Sequence, residues 1–580
     1  MRFRRARRIA ACTALALSAG MLLATPAAAD DAPAAPAPLE QTRPSLRLPE
    51  LKLPESSAAA VERGVAAATA DDVPMAKPRN DVDGDGLSDL LYRAGDGLMY
   101  LDYSADGTGG EYTFPAASDD RFKDFFSIAG LQPGTTRPVH FTLTAAGYLS
   151  AYDTTGGNLS RVWSGTGWQA YNKVFSPGDL TGDGSGDILA RTPSGDLWMY
   201  RTTPGAASPM AARVKVGTGW GVYDQLTGVN DVNGDAIADM FARTPSGDLY
   251  FYSGKPDGVQ PFKGRVLVGG GWGAYNQIFG IDDINGDGYS EVLGRSVSGV
   301  MYGYYSTGVG TFEARQQFST GTGWEVVSQF EGAGNNPHVG KDEVYGHDTK
   351  GSLFEYYVRN NGLLSARRQT GDTGGWSGSK LTFASSLDGD GVGDMLEVYN
   401  GTLYNLSYPS DEPPAIGSGW GIYTMLVGPG DLSGDGKGDL LARDSAGALY
   451  LYKGNGTGTG FAARIKLGTG WNTFNKLVGA GDINGDGLAD VVARTTGGSL
   501  YLYPGSGVAT APFKARTLIG SGWGGFNKLA SPGDMDGDGK ADLLAVNSAG
   551  TLYRYSANGT GGYKGKVSLG GGWNTYSSLL

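Results

Sequence analysis

"LVGAGDINGDGLADVVAR", residues 477–494, places oxygen-bearing side chains at Asp482, Asn484, Asp486 and Asp490, sets glycines between them, and runs straight into an apolar segment. Like charges this close repel, and an ordinary tight turn requires none of them. Turn chemistry therefore leaves the acids unexplained, and a bound positive charge explains them.

The stretch recurs with a period near 50 residues, so repeat architecture is the first matter to settle. Acidic loops begin at Asp81, Asp179, Asp231, Asp283, Asp431, Asp482 and Asp534, with a variant at Ser386. Near residue 131 (GLQPGTTRPVHFTL) and near Asn335 (NNPHVGKDEV) the spacing predicts a loop, but most of the acids are gone. Ten units result. Each carries four short strand-like segments separated by Gly, Ser, Asn and Pro; around Asp482 they are GWNTFNKLV, DVVAR, SLYLYPG and FKARTLIG. Strict alternation in LYLY (500–503), LYFY (249–252) and LWMY (197–200) is the period of a half-buried strand.

Four strands per unit at this length predict propeller blades, hence an all-β fold: a β-propeller of about ten four-stranded repeats from residue 80 to 580. The first unit lacks a preceding GW strand and the chain finishes on a spare one, GGGWNTYSSLL at 570–580, which can complete the first blade and remove two sheet edges. Ten blades exceed the usual four to eight, so two tandem five-bladed rings are favoured over one large ring. The strand tally is the same if the strand after Trp324 closes one ring and that after Trp573 closes another.

Seven loops fit D-x-[D/N/S/T]-x-D-x-x-x-[D/E]. Their candidate metal ligands are Asp81, Asp83, Asp85 and Asp89; Asp179, Thr181, Asp183 and Asp187; Asp231, Asn233, Asp235 and Asp239; and Asp283, Asn285, Asp287 and Glu291. Further along they are Asp431, Ser433, Asp435 and Asp439; Asp482, Asn484, Asp486 and Asp490; and Asp534, Asp536, Asp538 and Asp542. The variant loop offers Asp388, Asp390 and Asp394. With the seventh-position carbonyl, each set supplies oxygen only, which suits Ca²⁺; Mg²⁺ demands tighter octahedral geometry and zinc favours His or Cys. The acid at position nine and the β-rich sequence after it exclude an EF-hand.

With those residues in view, the run from 477 to 494 resembles the FG-GAP repeat, also called VCBS-type, of integrin α-subunit propellers, and the likeness extends from about residue 80 to the end. It implies a loop in a β-hairpin of each blade that binds Ca²⁺ structurally, at about seven sites. Ser386 in place of the first acid and Ala236 in place of a loop glycine depart from the pattern, and the units near 131 and 335 are expected to hold no ion. A site with a dissociation constant of ~0.1 mM in ~1 mM calcium contributes about 1.4 kcal/mol. Seven such sites would contribute roughly 10 kcal/mol, comparable with the stability of a whole domain.

That contribution matters in a chain with one cysteine. Residues 1–29 read as an export signal: a basic start (MRFRRARR), an apolar run and a small-residue cleavage site at Ala27–Ala29. The protein is expected to be secreted, and Cys12 to leave with the signal, so no disulfide is available. Residues 30–79 form an Ala/Pro-rich linker. Losing five arginines takes the formal charge from −12 to −17, which argues against nucleic acid or an anionic membrane as partner, and no later stretch could span a bilayer, so membrane insertion is not expected.

No catalytic constellation is evident, so an enzyme is not expected. The only histidines, His140, His338 and His347, fall in the two degenerate units. A second repeated feature, GxGW followed by an aromatic, places Trp168, Trp220, Trp272, Trp420, Trp471 and Trp523 as candidate stacking platforms for sugars, with inter-blade core as the simpler role. An arginine recurs twelve residues after the first acid (Arg93, Arg191, Arg243, Arg295, Arg443, Arg494), as partner either to a ligand or to a neighbouring carboxylate. The GxGW strand resembles that of tachylectin-type propeller lectins, which implies multivalent binding of a glycan or cell-wall polysaccharide. A calcium-bearing polysaccharide lyase and an adhesion scaffold are the alternatives.

Overall fold

Alternation decides the architecture. In Leu500–Tyr503 the leucines are buried and the tyrosines half-buried, and the same pattern holds in Leu449–Tyr452, Leu249–Tyr252 and Leu197–Tyr200. Each such strand pairs antiparallel with the strand that follows the acidic loop, as Arg494 faces Leu500 and Val491 faces Tyr503. The computed structural model describes residues 76–580 apart from 95–97, 105–107, 116–121, 145, 157–158, 320, 322, 336–340, 371–372, 390 and 408–412. The expected signal segment and nearly all of the linker lie outside the described residues. Among those described, no helix is long and apolar enough to cross a membrane.

Among the described residues, ten four-stranded antiparallel sheets form ten propeller blades. Blade 3 is typical: Lys173–Gly178 innermost, then Asp187–Arg191, Leu197–Tyr200 and, outermost, Val214–Gly217. The GW segment expected as the start of each inner strand is instead a single 3-10 turn, as at Trp471–Thr473. Gly470 precedes it with φ 84°, a left-handed conformation that turns the chain before the strand begins at Phe474.

The blades form two rings. Val327–Phe330, following the turn at Trp324, pairs with Leu90–Ala94 and completes blade 1. Tyr576–Leu579 pairs with Glu343–Asp348 and completes blade 6. The expectation that the last strand could complete the first blade is thereby corrected: each ring of five is closed by its own final strand, tying down the edge that an open sheet would expose. Apolar clusters weld neighbouring blades. Phe175 and Leu189 of blade 3 pack with Leu226 and Met240 of blade 4, and Val478 and Val492 of blade 9 with Leu529 and Leu543 of blade 10.

The rings stack face to face, the acidic-loop side of the second on the Trp-turn side of the first. Asn276 Nδ2 donates to the carbonyl of Asp536 at 2.6 Å, and Arg359 pairs with Glu325 at 3.2 Å. Gly487 lies so close to Asn172 that a Cβ there would come within 2.5 Å of the asparagine Cβ. The contact is polar, and buried polar atoms without partners gather in it: Arg295 Nη2, Glu325 Oε2 and Asp536 Oδ1.

Candidate metal loops and blade surface

Every acidic loop is organised by its first and ninth side chains. Asp482 Oδ1 accepts the N–H of Gly485 at 2.7 Å and Oδ2 that of Gly487 at 2.6 Å. Asp81, Asp179, Asp231, Asp283, Asp431 and Asp534 repeat the arrangement. Glycines at the two receiving positions supply the positive φ this wrapping needs, 79° at Gly485 and 81° at Gly487. Ala236 takes one of them at φ 62°, strained for a residue with a Cβ. In the variant loop Ser386 Oγ accepts the same two N–H groups, from Gly389 and Gly391, each at 3.0 Å. A hydroxyl thus keeps the turn while removing a charge.

The ninth acid anchors the loop to its blade. Asp490 Oδ2 accepts the N–H of Ile483 at 3.1 Å, and Oδ1 that of Gly505 at 2.9 Å. Asp89, Asp187, Asp239, Glu291, Asp394, Asp439 and Asp542 each accept the equivalent first bond. Burial pushes Asp239 and Asp490 up to about 8, and Asp89, Asp187 and Asp439 up to about 7, with neighbouring loop acids adding to the rise. Asp482 is raised to about 7 by burial and by Asp486.

Among the described residues three carboxylates converge within 4.8 Å in two loops, at Asp81, Asp83 and Asp89 and at Asp534, Asp536 and Asp538. The donor sets are oxygen only, and Asp536 Oδ1 is buried without a hydrogen-bond partner. Both features fit a hard cation. The Asp534 loop also holds protein cations: Arg554 reaches Asp536 at 2.7 Å, and Lys564 reaches Asp538 at 3.3 Å. A lysine likewise pairs with the fifth-position acid at Lys263–Asp235, Lys453–Asp435 and Lys514–Asp486. Asp388 and Asp394 lie in the variant loop, and Asp390 is outside the described residues.

The six tryptophans considered as stacking platforms sit inside the blades. Trp168, Trp220, Trp272, Trp420 and Trp523 are buried and Trp471 partly so. Their ring faces are taken up by the tyrosine that ends the alternating strand, Tyr200 4.7 Å from Trp168 and Tyr252 4.8 Å from Trp220. This corrects the platform reading: tryptophan is the largest apolar side chain, and the turn points it at the wedge between strands.

The recurring arginines are inter-blade staples. Arg191 Nη1 donates to the carbonyls of Trp220 at 3.3 Å and Tyr223 at 2.7 Å, fastening one blade to the Trp turn of the next. Arg243, Arg295, Arg443 and Arg494 repeat the staple. The expected carboxylate partner occurs at Arg243, which pairs with Asp224 at 2.8 Å; Arg191, Arg295 and Arg494 bond asparagine instead. His140 is core, its ring nitrogens 2.7 Å from Ser127 Oγ and 3.3 Å from Tyr112 OH, and burial lowers its pKa to about 3. His347 is half-buried, and His338 lies outside the described residues.

The blade surface carries a repeated group that the sequence reading missed. Arg265 is exposed, its guanidinium 4.5 Å over the ring of Tyr250, and it donates to Tyr223 OH at 2.5 Å, which in turn meets Tyr252 OH at 2.7 Å. Arg213 over Trp198, Arg315 over Tyr302, Arg464 over Tyr450 and Arg516 over Tyr501 repeat the stack, and Lys566 over Tyr553 is a variant. A basic residue seven before the tryptophan of the following turn, nine before it at Arg315, was the available signal.

A sequence model described as an FG-GAP-like repeat matches residues 431–493 and 482–545. No curated protein matches the chain. Among solved structures it is similar to Sqt1 of Saccharomyces cerevisiae, at 12% identity and TM-score 0.22, over 77% of this chain and 86% of that one. A lectin of Agrocybe aegerita that recognises non-reducing terminal N-acetylglucosamine aligns at 14% identity and TM-score 0.21, over 85% and 94%. The BP39L lectin of Burkholderia pseudomallei aligns at 15% identity and TM-score 0.25, over 60% and 99%.

Proposed function

We propose that the chain is a secreted, calcium-stabilised β-propeller that binds glycans without catalysis. Calcium would be held by the first, third, fifth and ninth side chains of the seven full loops and the seventh carbonyl, and would balance the carboxylates that the single Lys or Arg partners do not. The first acid's Oδ1 accepts two or more backbone N–H groups in most loops, as from Gly485 and Asp486 at Asp482, while Oδ2 accepts one and keeps a lone pair for an ion. The ninth acid is fixed at both oxygens before any ion arrives, so little ordering remains to be done on binding.

The observation that carries glycan binding is the exposed arginine-on-aromatic stack present in both rings, with two phenols beside it at Arg213, Arg265, Arg315 and Arg464 and one at Arg516. An aromatic edge covers the apolar face of a sugar while guanidinium and phenol groups hydrogen-bond its hydroxyls. Repetition turns weak sites into avidity. A glycan array probed with the full chain tests this, and Arg265→Ala, Arg464→Ala and Arg516→Ala combined should reduce binding at least tenfold. Signal unchanged in that triple variant would contradict the reading, and release of unsaturated oligosaccharides would assign a lyase instead.

A further inference from the structure

The two rings are alike in build and unlike in what covers them. The Trp-turn face of the first ring lies under the loops of the second. The same face of the second ring is covered by nothing among the described residues; the first ring's loop side is crossed by residues 77–79, which bond Gly184, Ser176, Gly228 and Asp282, and beside them Asp83, Asp85, Asp183 and Asp235 are exposed, the last two paired with Arg201 and Lys263.

The covered contact shows what this face accepts. Arg295 Nε donates to Asn276 Oδ1 at 3.1 Å, which orients the amide so that Nδ2 reaches the carbonyl of Asp536, the third residue of a second-ring loop. Asn276 is 2% exposed there. Arg494 Nε grips Asn475 Oδ1 at 2.9 Å in the same way on the second ring, where Asn475 is exposed and its amide nitrogen has no partner among the described residues. The docking device is present and unused.

One residue along, the faces diverge in unpaired charge, since the first ring's one lysine at this position, Lys173, is buried and paired with Asp124 at 2.8 Å. In the first ring Gln225 and Gln277 close onto neighbouring inner strands, their amides donating to the carbonyls of Asn276 at 2.9 Å and Ser328 at 2.7 Å. The second ring has Lys476, half-buried, and Lys528, 8% exposed, in their place, with no carboxylate partner among the described residues. A cationic face in a chain of formal charge −12 stands opposite, in type, to its own acidic loop face. A divalent ion leaves the four-carboxylate loop at Asp81 negative, whereas Arg201 and Lys263 offset what remains at the three-carboxylate loops of Asp179 and Asp231, so the match survives calcium at the Asp81 loop.

We propose that the Trp-turn face of the second ring receives the acidic-loop face of the first ring of a second copy of this chain, repeating between molecules the ring-on-ring contact made within one. The contact is heterologous, so it grows open head-to-tail stacks and does not stop at a dimer. Lys476 on one side and the exposed Asp83 and Asp85 on the other contribute charge at its rim, so salt weakens it.

Sedimentation velocity on the full chain in millimolar calcium tests this, over a concentration series from low to high micromolar. Weight-average mass should climb past twice that of one chain without a plateau, and fall back in molar salt or in Lys476→Glu/Lys528→Glu. A mass that stays that of one chain, or growth untouched by both treatments, overturns the proposal; so does a plateau at a dimer. Orientation is read separately in a Cys12→Ser background by bismaleimide cross-linking of Asn475→Cys mixed with Lys77→Cys, an exposed residue that reaches Gly184 O on the loop face. Cross-links should form between the two variants and not within either alone; cross-links of Asn475→Cys to itself would overturn head-to-tail packing. An unrelated acidic segment, including residues 30–75 of the same chain, occupying the face would leave the mass constant and count against it.

Discussion

The loops at Asp179 and Asp534 share one design and stand in opposite surroundings. In both the first acid takes two glycine N–H groups, Gly182 and Gly184 in one, Gly537 and Gly539 in the other, all at 2.6–2.7 Å. Residues 182–184 are open to water, whereas 534–537 and 539–542 are buried and the loop touches the first ring through Asn276. The same nine residues therefore close a turn at the surface in one ring and form part of the inter-ring contact in the other. Sequence sets the turn; position sets what losing it costs.

The largest expected difference follows from those N–H groups. Asp534→Ala strands two of them away from water and should destabilise by about 3 kcal/mol or more, while Asp179→Ala leaves its pair to solvent and should cost about 1 kcal/mol. Urea unfolding of both variants in chelator measures this, and equal losses would break the distinction between buried and open loops.

The ninth acids give the next test, through pH. Their pKa values of about 7 to 8 in the ion-free fold lie above the ordinary carboxylate value, so the folded state binds more protons than the unfolded one between about pH 4 and 8. Chelated protein should then lose stability as pH rises through that window. Calcium should cancel the loss and displace protons, visible as acidification of an unbuffered solution at neutral pH. Chelated protein that grows more stable from pH 5 to 8 would contradict the assignment.

Smaller effects probe single positions. Ser386→Asp restores the missing carboxylate on a hydroxyl that already receives both loop N–H groups, and should add one calcium per chain by isothermal titration, worth about 1.4 kcal/mol in millimolar calcium. Ala236→Gly relieves a positive φ and should stabilise by about 1 kcal/mol in a thermal melt.

Much of this was legible before any coordinates. Period-two alternation gives the blades, because one face of each strand is buried, and spaced acids with glycines between them give the loops, because few other turns need both. Ring closure was not legible: the strands after Trp324 and Trp573 have the same pattern, and only partner choice, Leu90–Ala94 or Glu343–Asp348, separates one ring from two. The arginines were visible but their partners were misjudged, since backbone carbonyls such as those of Trp220 and Tyr223 leave no mark in a sequence. The tryptophans stood out for the right reason, size and repetition, and the core claimed them. Ring stacking left no signal either, because an amide meeting a carbonyl across a polar face is drawn from residues common on any surface.

The account rests on divalent ions holding a fold whose lone cysteine can form no internal disulfide. A thermal melt of the full chain in millimolar calcium against excess chelator at pH 8 tests it most directly. Seven sites of about 1.4 kcal/mol each predict a melting temperature lower by roughly 10 °C or more without calcium; coincident melting curves would contradict it.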